Sequence, residues 1–367
     1  MSYVTAFGVA NPPHKVAQSE IADFMVKAMQ LDPKEERKLR AVFRSSGIDY
    51  RHSVLGDYAK LSDFAFFPNT DDLESFPSTR DRMEQFRRHA ARLSIEAVRN
   101  AFGDKYHGRD ISHLITVCCT GMYAPGLDYE IMKECGLPQT IHRISLNFMG
   151  CYAAISAMRT ADAFCKADRN ARILIVCTEL CSLHFQQEFN EDNLLANALF
   201  GDGSAALIME TGAHSLPAFR LREFRSLILP DGERDMAWNV GDKGFEMKLT
   251  SYVPELIGNG IKQMAIACVA QTGLRMEDIS YFAIHPGGKR ILEMVEKQLA
   301  IPGDANRFAH EILRSFGNMS SPTVLFVLRL IYEDLSPADH GKYVLSFAFG
   351  PGLTMESMVL QIENHRS

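Results

Sequence analysis

Ser145-Leu-Asn-Phe-Met-Gly-Cys151-Tyr-Ala-Ala-Ile-Ser-Ala-Met-Arg-Thr-Ala-Asp-Ala163 is the stretch on which the rest of the chain is organised. A short apolar run breaks at Gly150, places a cysteine next, and continues as an alanine-rich segment. Ala153, Ala154, Ala157, Ala161 and Ala163 favour a helix and are small enough for close packing. A thiol at a helix start feels the positive end of the helix dipole and several unpaired backbone N–H groups. Both favour thiolate, the nucleophilic form of cysteine. The competing reading is a buried structural cysteine, since free Cys is among the most buried residue types. Residues far downstream decide between the two.

The chain has 367 residues, room for one large or two ordinary domains. Hydrophobic residues make up 46% and charged residues 23%, the composition of a well-cored globular protein. A net charge of -6 argues against a general nucleic-acid or anionic-membrane surface. The N-terminus lacks the basic start and long apolar core of a signal peptide. No uninterrupted apolar run is long enough to span a bilayer. The eight cysteines form no CxxC pair and no zinc-ligand spacing with histidine, so no metal site is expected. They read as reduced thiols of a cytoplasmic protein.

Patterning places strands at Val4 to Ala10, His113 to Cys119 and Ile173 to Cys177. Helices are expected at Gln18 to Met29, Pro33 to Phe43, Glu84 to Phe102 and Leu127 to Cys135. Residues from Arg51 to about Arg80 lack periodicity and read as an irregular excursion over the surface. Phe200-Gly-Asp-Gly-Ser-Ala-Ala-Leu-Ile-Met209 is a glycine turn feeding a strand. It has neither the ending nor the following helix of a phosphate loop. The chain becomes polar near Thr211 to Pro217, which suggests a boundary there. Beyond it the rhythm repeats: helices at Glu255 to Gln271, Arg290 to Leu299 and up to Tyr332, and strands at Tyr281 to Ile284, Tyr343 to Phe349 and Glu356 to Ile362. Alternation in both halves argues for α/β layers and an internal duplication.

His285 follows a buried strand and precedes Pro-Gly-Gly, a turn that lets backbone approach a ligand closely. Asn318 follows Gly317 at a helix start. Each alone fits a structural role. A cysteine at a helix start with a His and an Asn on later loops is the arrangement of thiol acyl-transfer enzymes. Arg37, Arg40 and Arg44 share one helical face. Such a run fits a solvated surface, or a phosphate clamp.

Six pieces in order carry a resemblance over nearly the whole chain. They are Met149-Gly-Cys-Tyr-Ala153, Ala171-Arg-Ile-Leu-Ile-Val-Cys-Thr-Glu179, Ala198-Leu-Phe-Gly-Asp-Gly-Ser-Ala-Ala-Leu207, Ile284-His-Pro-Gly-Gly288, Gly317-Asn-Met-Ser-Ser321 and Phe349-Gly-Pro-Gly-Leu-Thr354. The chain resembles the type III polyketide synthases, the chalcone synthase-like enzymes of the thiolase superfamily. The resemblance implies a thiolase-like fold, α/β with a duplicated αβαβα layered core. Residues 1–214 would carry the nucleophilic Cys and residues 215–367 the His and Asn. Cys151 would carry the acyl group, and His285 and Asn318 would form the oxyanion site. Phe200 and Phe245 would be gatekeepers between a CoA tunnel and the acyl cavity. Cys119, Thr120, Ala124, Cys181, His184 and Met236 would shape that cavity. Met236 should shorten one side and Ala124 open another. Arg37, Arg40 and Arg44 would grip the CoA phosphates, and Gly287 would approach the pantetheine arm.

The implied activity is iterative decarboxylative condensation of malonyl-CoA onto an acyl-CoA starter. Cyclisation to a pyrone, resorcinol or naphthalene-type product would follow. CoA thioesters are then substrates, and no cofactor is expected. The family also implies a homodimer, with Met122 to Pro125 reaching the neighbour's cavity. Rival readings are a single-round condensing enzyme like ketoacyl synthase III, and an inactive paralogue serving as a scaffold.

Overall fold

The architecture is that of a computed structural model, which describes residues 1–212 and 217–364. The boundary expected between residues 214 and 215 lies outside the described residues. The first half opens with β1 (Tyr3–Ala10) and β2 (His14–Ala17), followed by α1 (Gln18–Ala28) and α2 (Pro33–Ser45). Strand β3 (Tyr50–Ser53) pairs with β2. Then come α3 (Thr79–Phe102), β4 (His113–Cys118), α4 (Leu127–Glu134), β5 (His142–Asn147) and α5 (Ala153–Ala167). Strand β6 (Arg172–Leu180), helix α6 (Glu191–Leu199) and β7 (Asp202–Glu210) complete it.

The second half begins with β8 (Ala218–Ile228) and a hairpin of β9 (Met236–Gly241) and β10 (Gly244–Leu249). Helix α7 (Val253–Ala270) leads to β11 (Ile279–Ile284), α8 (Lys289–Leu299), α9 (Arg307–Phe316) and α10 (Thr323–Asp334). Strands β12 (Tyr343–Gly350) and β13 (Thr354–Glu363) close the described chain.

The strands of the main sheet run β11-β12-β13-β8-β1-β7-β6-β4-β5. Its two wings repeat one pattern. From β1 the pairings are antiparallel to β7, antiparallel to β6, then parallel to β4. From β8 they are antiparallel to β13, antiparallel to β12, then parallel to β11. The duplication read from the sequence is therefore a repeat of strand order and direction, with β5 as an extra outer strand. The wings join where β1 pairs with β8 through Tyr3 and Arg220.

Helix α5 packs on β4, β6 and β7 of one wing and on β13 of the other. Helix α10 packs on β11 and reaches back to β7 and β1. These two helices are the middle layer, with α3 outside the first wing and α7 outside the second. Alanines at 153, 154, 157 and 161 are completely buried there, because a helix covered on both sides has no room for larger side chains.

Two expectations change. The segment from 51 to 80 is not a surface excursion. Phe64, Phe67, Leu73 and Phe76 are buried, and Phe67 and Phe76 pack with Phe24 and Phe185 into one aromatic cluster. Each such ring gains roughly 1.5–3 kcal/mol from leaving water. The loop keeps its shape because buried Asp57 accepts from the backbone N–H groups of Ala65, Phe66 and Phe67. Helix α3 also starts earlier than periodicity suggests, because Ser78 caps it with Asp81 in a capping box.

Outer helix α3 lies directly on β1. A Cβ placed on Gly8 would sit 2.1 Å from Ala101 N and 2.3 Å from Ala97 O, so no larger residue fits. Gly8→Val should therefore lower the unfolding free energy by about 3 kcal/mol or more. The urea midpoint with an unchanged slope is the measurement, and a parental midpoint would contradict this packing.

Candidate active site

Cys151 lies in a single tight turn, Gly150–Tyr152, between the end of β5 and the first residue of α5. Gly150 makes that turn possible. Its φ is +77°, and a Cβ there would meet Pro351 Cδ at 2.4 Å. Its N–H points at the sulfur of Cys119, 3.1 Å away. Cys151 thus stands just ahead of α5, at the helix's unpaired N–H end.

Asn318 is held by backbone. Its N–H donates to Leu199 O and its carbonyl accepts from Gly201 N–H, both at 2.9 Å. This places it beside Phe200, its bridge partner. Gly317 just before it has φ +68°, and a Cβ there would crowd Leu199 O and Arg51. The Asn318 Oδ1 accepts from Ser320 N–H at 2.8 Å, and Nδ2 donates to Gly287 O at 3.3 Å. That network directs the amide N–H groups toward the His285–Gly287 turn. Cys151 Sγ lies 4.0 Å from Oδ1.

His285 follows β11 and is 1% exposed. Its N–H donates to Phe347 O, and its carbonyl accepts from Gly287 N–H. Neither ring nitrogen has a protein partner. A buried imidazole with two unpaired nitrogens carries a desolvation cost and is ready for a ligand.

Cys151, His285, Asn318, Ser320 and Gly287 line one cavity. Cys119, Thr120, Cys181, Phe200 and Met236 from the expected set line it as well. A hollow shares Leu249, Gly287 and Ile291 with it and opens between α2 and α8 at Ser45, Lys289 and Arg290.

Three expected cavity residues lie elsewhere. Phe245 does not stand beside Phe200. Its ring stacks on His184 at 4.2 Å and 8°, and Trp238 takes the wall position. His184 faces a neighbouring chamber, tied at Nε2 to Thr120 O and at Nδ1 to the Phe245 N–H. Ala124 lines a separate hollow with Met122, Tyr129 and Asn147. On α2, Arg40 is engaged by Asp23 and Glu36, at 2.7 and 2.8 Å. Arg40 and Arg44 line a hollow on the α1 side rather than the one at Gly287. Arg37 is exposed.

Trp238, Met247 and Leu249 on the β9–β10 hairpin form a cavity wall that motif reading missed. The available signal was the lone tryptophan of the chain in Met236-Ala-Trp-Asn-Val240. Glu179 was missed as well, although an acid ending an apolar strand is a warning of burial. Its carboxylate accepts from Cys119 N–H, Thr120 Oγ1 and Ser321 Oγ, tying the loop after β4 to the loop before α10.

The electrostatics also differ from expectation. Burial pushes the Cys151 thiol up to about 11, with the Ser320 hydroxyl pulling the other way. Burial takes His285 down to about 3. An acceptor oxygen facing the sulfur also keeps the proton on it. Both shifts favour a neutral thiol and a neutral imidazole over an ion pair. The physical reason is the apolar wall, which penalises either charge more than the helix end favours it.

Sequence profiles for the N-terminal and C-terminal domains of chalcone and stilbene synthases match residues 1–213 and 221–363. The chain belongs to the chalcone and stilbene synthase family. Among its relatives is the alpha-pyrone synthesis polyketide synthase-like Pks18 of Mycobacterium tuberculosis, 32% identical over 99% of this chain and 91% of that protein. The C-terminal type III polyketide synthase domain of Steely1 from Dictyostelium superposes with a TM-score of 0.91 at 30% identity, covering 98% of this chain and 99% of that one. A polyketide synthase of the brown alga Ectocarpus siliculosus gives 0.91 at 26% identity, covering 98% of both chains. This family member is a type III polyketide synthase, an acyltransferase with a thiolase-like fold.

Two outcomes test the site. Alkylation of Cys151 by iodoacetamide, followed on its own peptide by mass spectrometry, should rise about tenfold per pH unit through the neutral range, because only thiolate reacts. A plateau already present at pH 6 would contradict the neutral thiol. Burial raises Glu179 from 4.5 to about 7, so the folded protein holds a proton that the unfolded chain has released between those values. This stabilisation is complete below the lower value and lost as pH rises through the upper one. Denaturant unfolding of Glu179→Gln should show that loss removed, and a parental pH slope would refute it.

Proposed function

We propose that the protein condenses malonyl-CoA repeatedly onto an acyl-CoA starter and cyclises the product. The observation that carries this reading is the convergence of Cys151, His285 and Asn318 on one apolar cavity that adjoins a hollow rimmed by Lys289 and Arg290. A starter acyl group would enter past Gly287, with its thioester carbonyl near Asn318 Nδ2. As the Cys151 sulfur attacks, neutral His285 takes its proton, and the imidazolium and the Asn318 amide donate to the developing oxyanion. CoA leaves as its thiol.

Malonyl-CoA then occupies the same place. Its carboxylate departs as carbon dioxide, and the electron pair left behind forms an enolate whose oxygen meets the same donors. The enolate carbon attacks the Cys151 thioester and the sulfur leaves. The lengthened chain, now a CoA thioester, returns to the sulfur for another round. These steps draw on CoA thioesters as substrates and on no metal or redox cofactor. Lys289 and Arg290 at the mouth would hold the CoA phosphates, whereas Arg40 and Arg44 line a different hollow.

A homodimer is proposed through β5. This strand is the outer edge of the sheet with alternate residues exposed, and exposed Met122 lies next to the hollow that contains Ala124. An edge strand of this kind invites pairing with a second copy. The eight free thiols favour a reducing compartment, and the cytoplasm is the proposed location. Among the described residues no helix is long and apolar enough to cross a membrane.

The test is turnover of labelled malonyl-CoA with a panel of starters, with products read by mass spectrometry. Several extensions per starter are expected, and a single extension would leave only the single-round reading. Cys151→Ala should abolish condensation yet retain decarboxylation, which does not use the sulfur. His285→Ala and Asn318→Ala should each lower decarboxylation by about 10²–10³-fold. Decarboxylation untouched by both would remove them from the oxyanion site.

A further inference from the structure

Beside the catalytic cavity lies a second chamber that the condensation steps do not use. The two meet at Cys181, Phe200, Trp238 and Met247, side chains that line both. The body of the chamber is apolar, with Val16, Ile21, Met25 and Phe185 on its walls. Its neutral polar side chains are largely engaged within the protein. Ser182 Oγ donates to Asp202, Asn193 Nδ2 to Glu188 O, and Asn197 Nδ2 to Gln186 O.

Arg51 is the exception. It lines the chamber and is 5% exposed. Its Nε donates to Gln18 Oε1 at 2.9 Å and its Nη1 to Phe200 O at 2.6 Å. Its Nη2 is buried with no partner. Both partners it does have are neutral. The nearby Asp202 spends its oxygens on Val54 N–H, Ser182 N–H and Ser182 Oγ rather than on the guanidinium. Burial lowers Arg51 only to about 10, so it is a cation at neutral pH. A buried cation with a free donor and no contacting anion is costly unless something fills the place.

We infer that the chamber receives the far end of the starter, and that the starter is an acyl-CoA whose chain is apolar in its middle and ends in a carboxylate paired with Arg51. The inference rests on the polyketide synthase reading above, because only that reading puts an acyl chain on Cys151. The thioester end stays in the catalytic cavity, the methylene chain crosses between Cys181 and Met247, and the terminal carboxylate takes Nη2. A guanidinium N–H to a carboxylate is among the stronger single hydrogen bonds a protein makes. A chain ending in methyl would leave that donor unpaired, as it is in the empty protein.

Kinetics and binding test this separately. ω-Carboxyacyl-CoA starters of graded length are compared with the half methyl esters of the same length. The best carboxylate should exceed its ester in kcat/KM by about tenfold or more. Ala196 lines only the second chamber, so Ala196→Phe should erase the preference while leaving turnover of an acetyl-CoA starter unchanged. Arg51→Lys, which keeps charge and loses the fork, should reduce it. Equal values for acid and ester, or a preference that survives Ala196→Phe, would overturn the assignment while simple starters still report a working synthase. If no starter is extended, the polyketide reading fails instead. Binding then remains readable, because Trp238 is the only tryptophan and lines both cavities. A free dicarboxylic acid should change its fluorescence, and the dimethyl ester should bind about tenfold more weakly or worse. Equal binding of the two would also overturn the assignment.

Discussion

The backbone pairing of Asn318 with Leu199 and Gly201 is the constraint on which the site depends. It joins the segment before α10 to the segment before β7, so a residue of the second half stands against Cys151 of the first. Arg51 reinforces it by donating to Phe200 O from the opposite side. Gly317 is required because any side chain would strike both Leu199 O and Arg51. Glu179 adds a side-chain tie from the loop before α10 to the loop after β4. The carboxamide is therefore positioned by peptide groups and a buried acid, which are stiffer than a surface loop.

The same burial that fixes these groups governs their charge. Thiol, imidazole and carboxylic acid are all pushed toward their neutral forms by the apolar surroundings. Against this background the Arg51 guanidinium stands out, since it stays charged in an environment that neutralises its neighbours.

The internal repeat gives the site its symmetry. Cys119 follows β4 as His285 follows β11, and Cys151 precedes α5 as Asn318 precedes α10. The two central helices therefore present their N-terminal ends to one cavity from opposite halves. Single-sequence reading found the strands and helices of both halves because their apolar periodicity is strong. It also singled out Cys151, His285 and Asn318, which line one cavity, since glycine turns and short motifs mark them. It missed β2, β3, β5, α6, β8, the β9–β10 hairpin and α9, whose patterns are short or mixed. It misjudged the segment from 51 to 80, where phenylalanines without periodicity carry the burial.

By itself the sequence determined the α/β alternation, the duplication and the family, and it singled out Cys151, His285 and Asn318 as candidates. These depend on local spacing and on residue types that few other chemistries use. Only the tertiary structure decided which side chains form the cavity walls. Trp238 displaced Phe245, His184 turned to the second chamber, and Ala124 went to the outer edge. Only the tertiary structure decided the resting protonation of Cys151, because helix-end stabilisation is local while desolvation comes from residues distant in the chain. The unpaired Nη2 of Arg51 belongs to the same class: a missing partner is a property of packing, and no stretch of sequence records it.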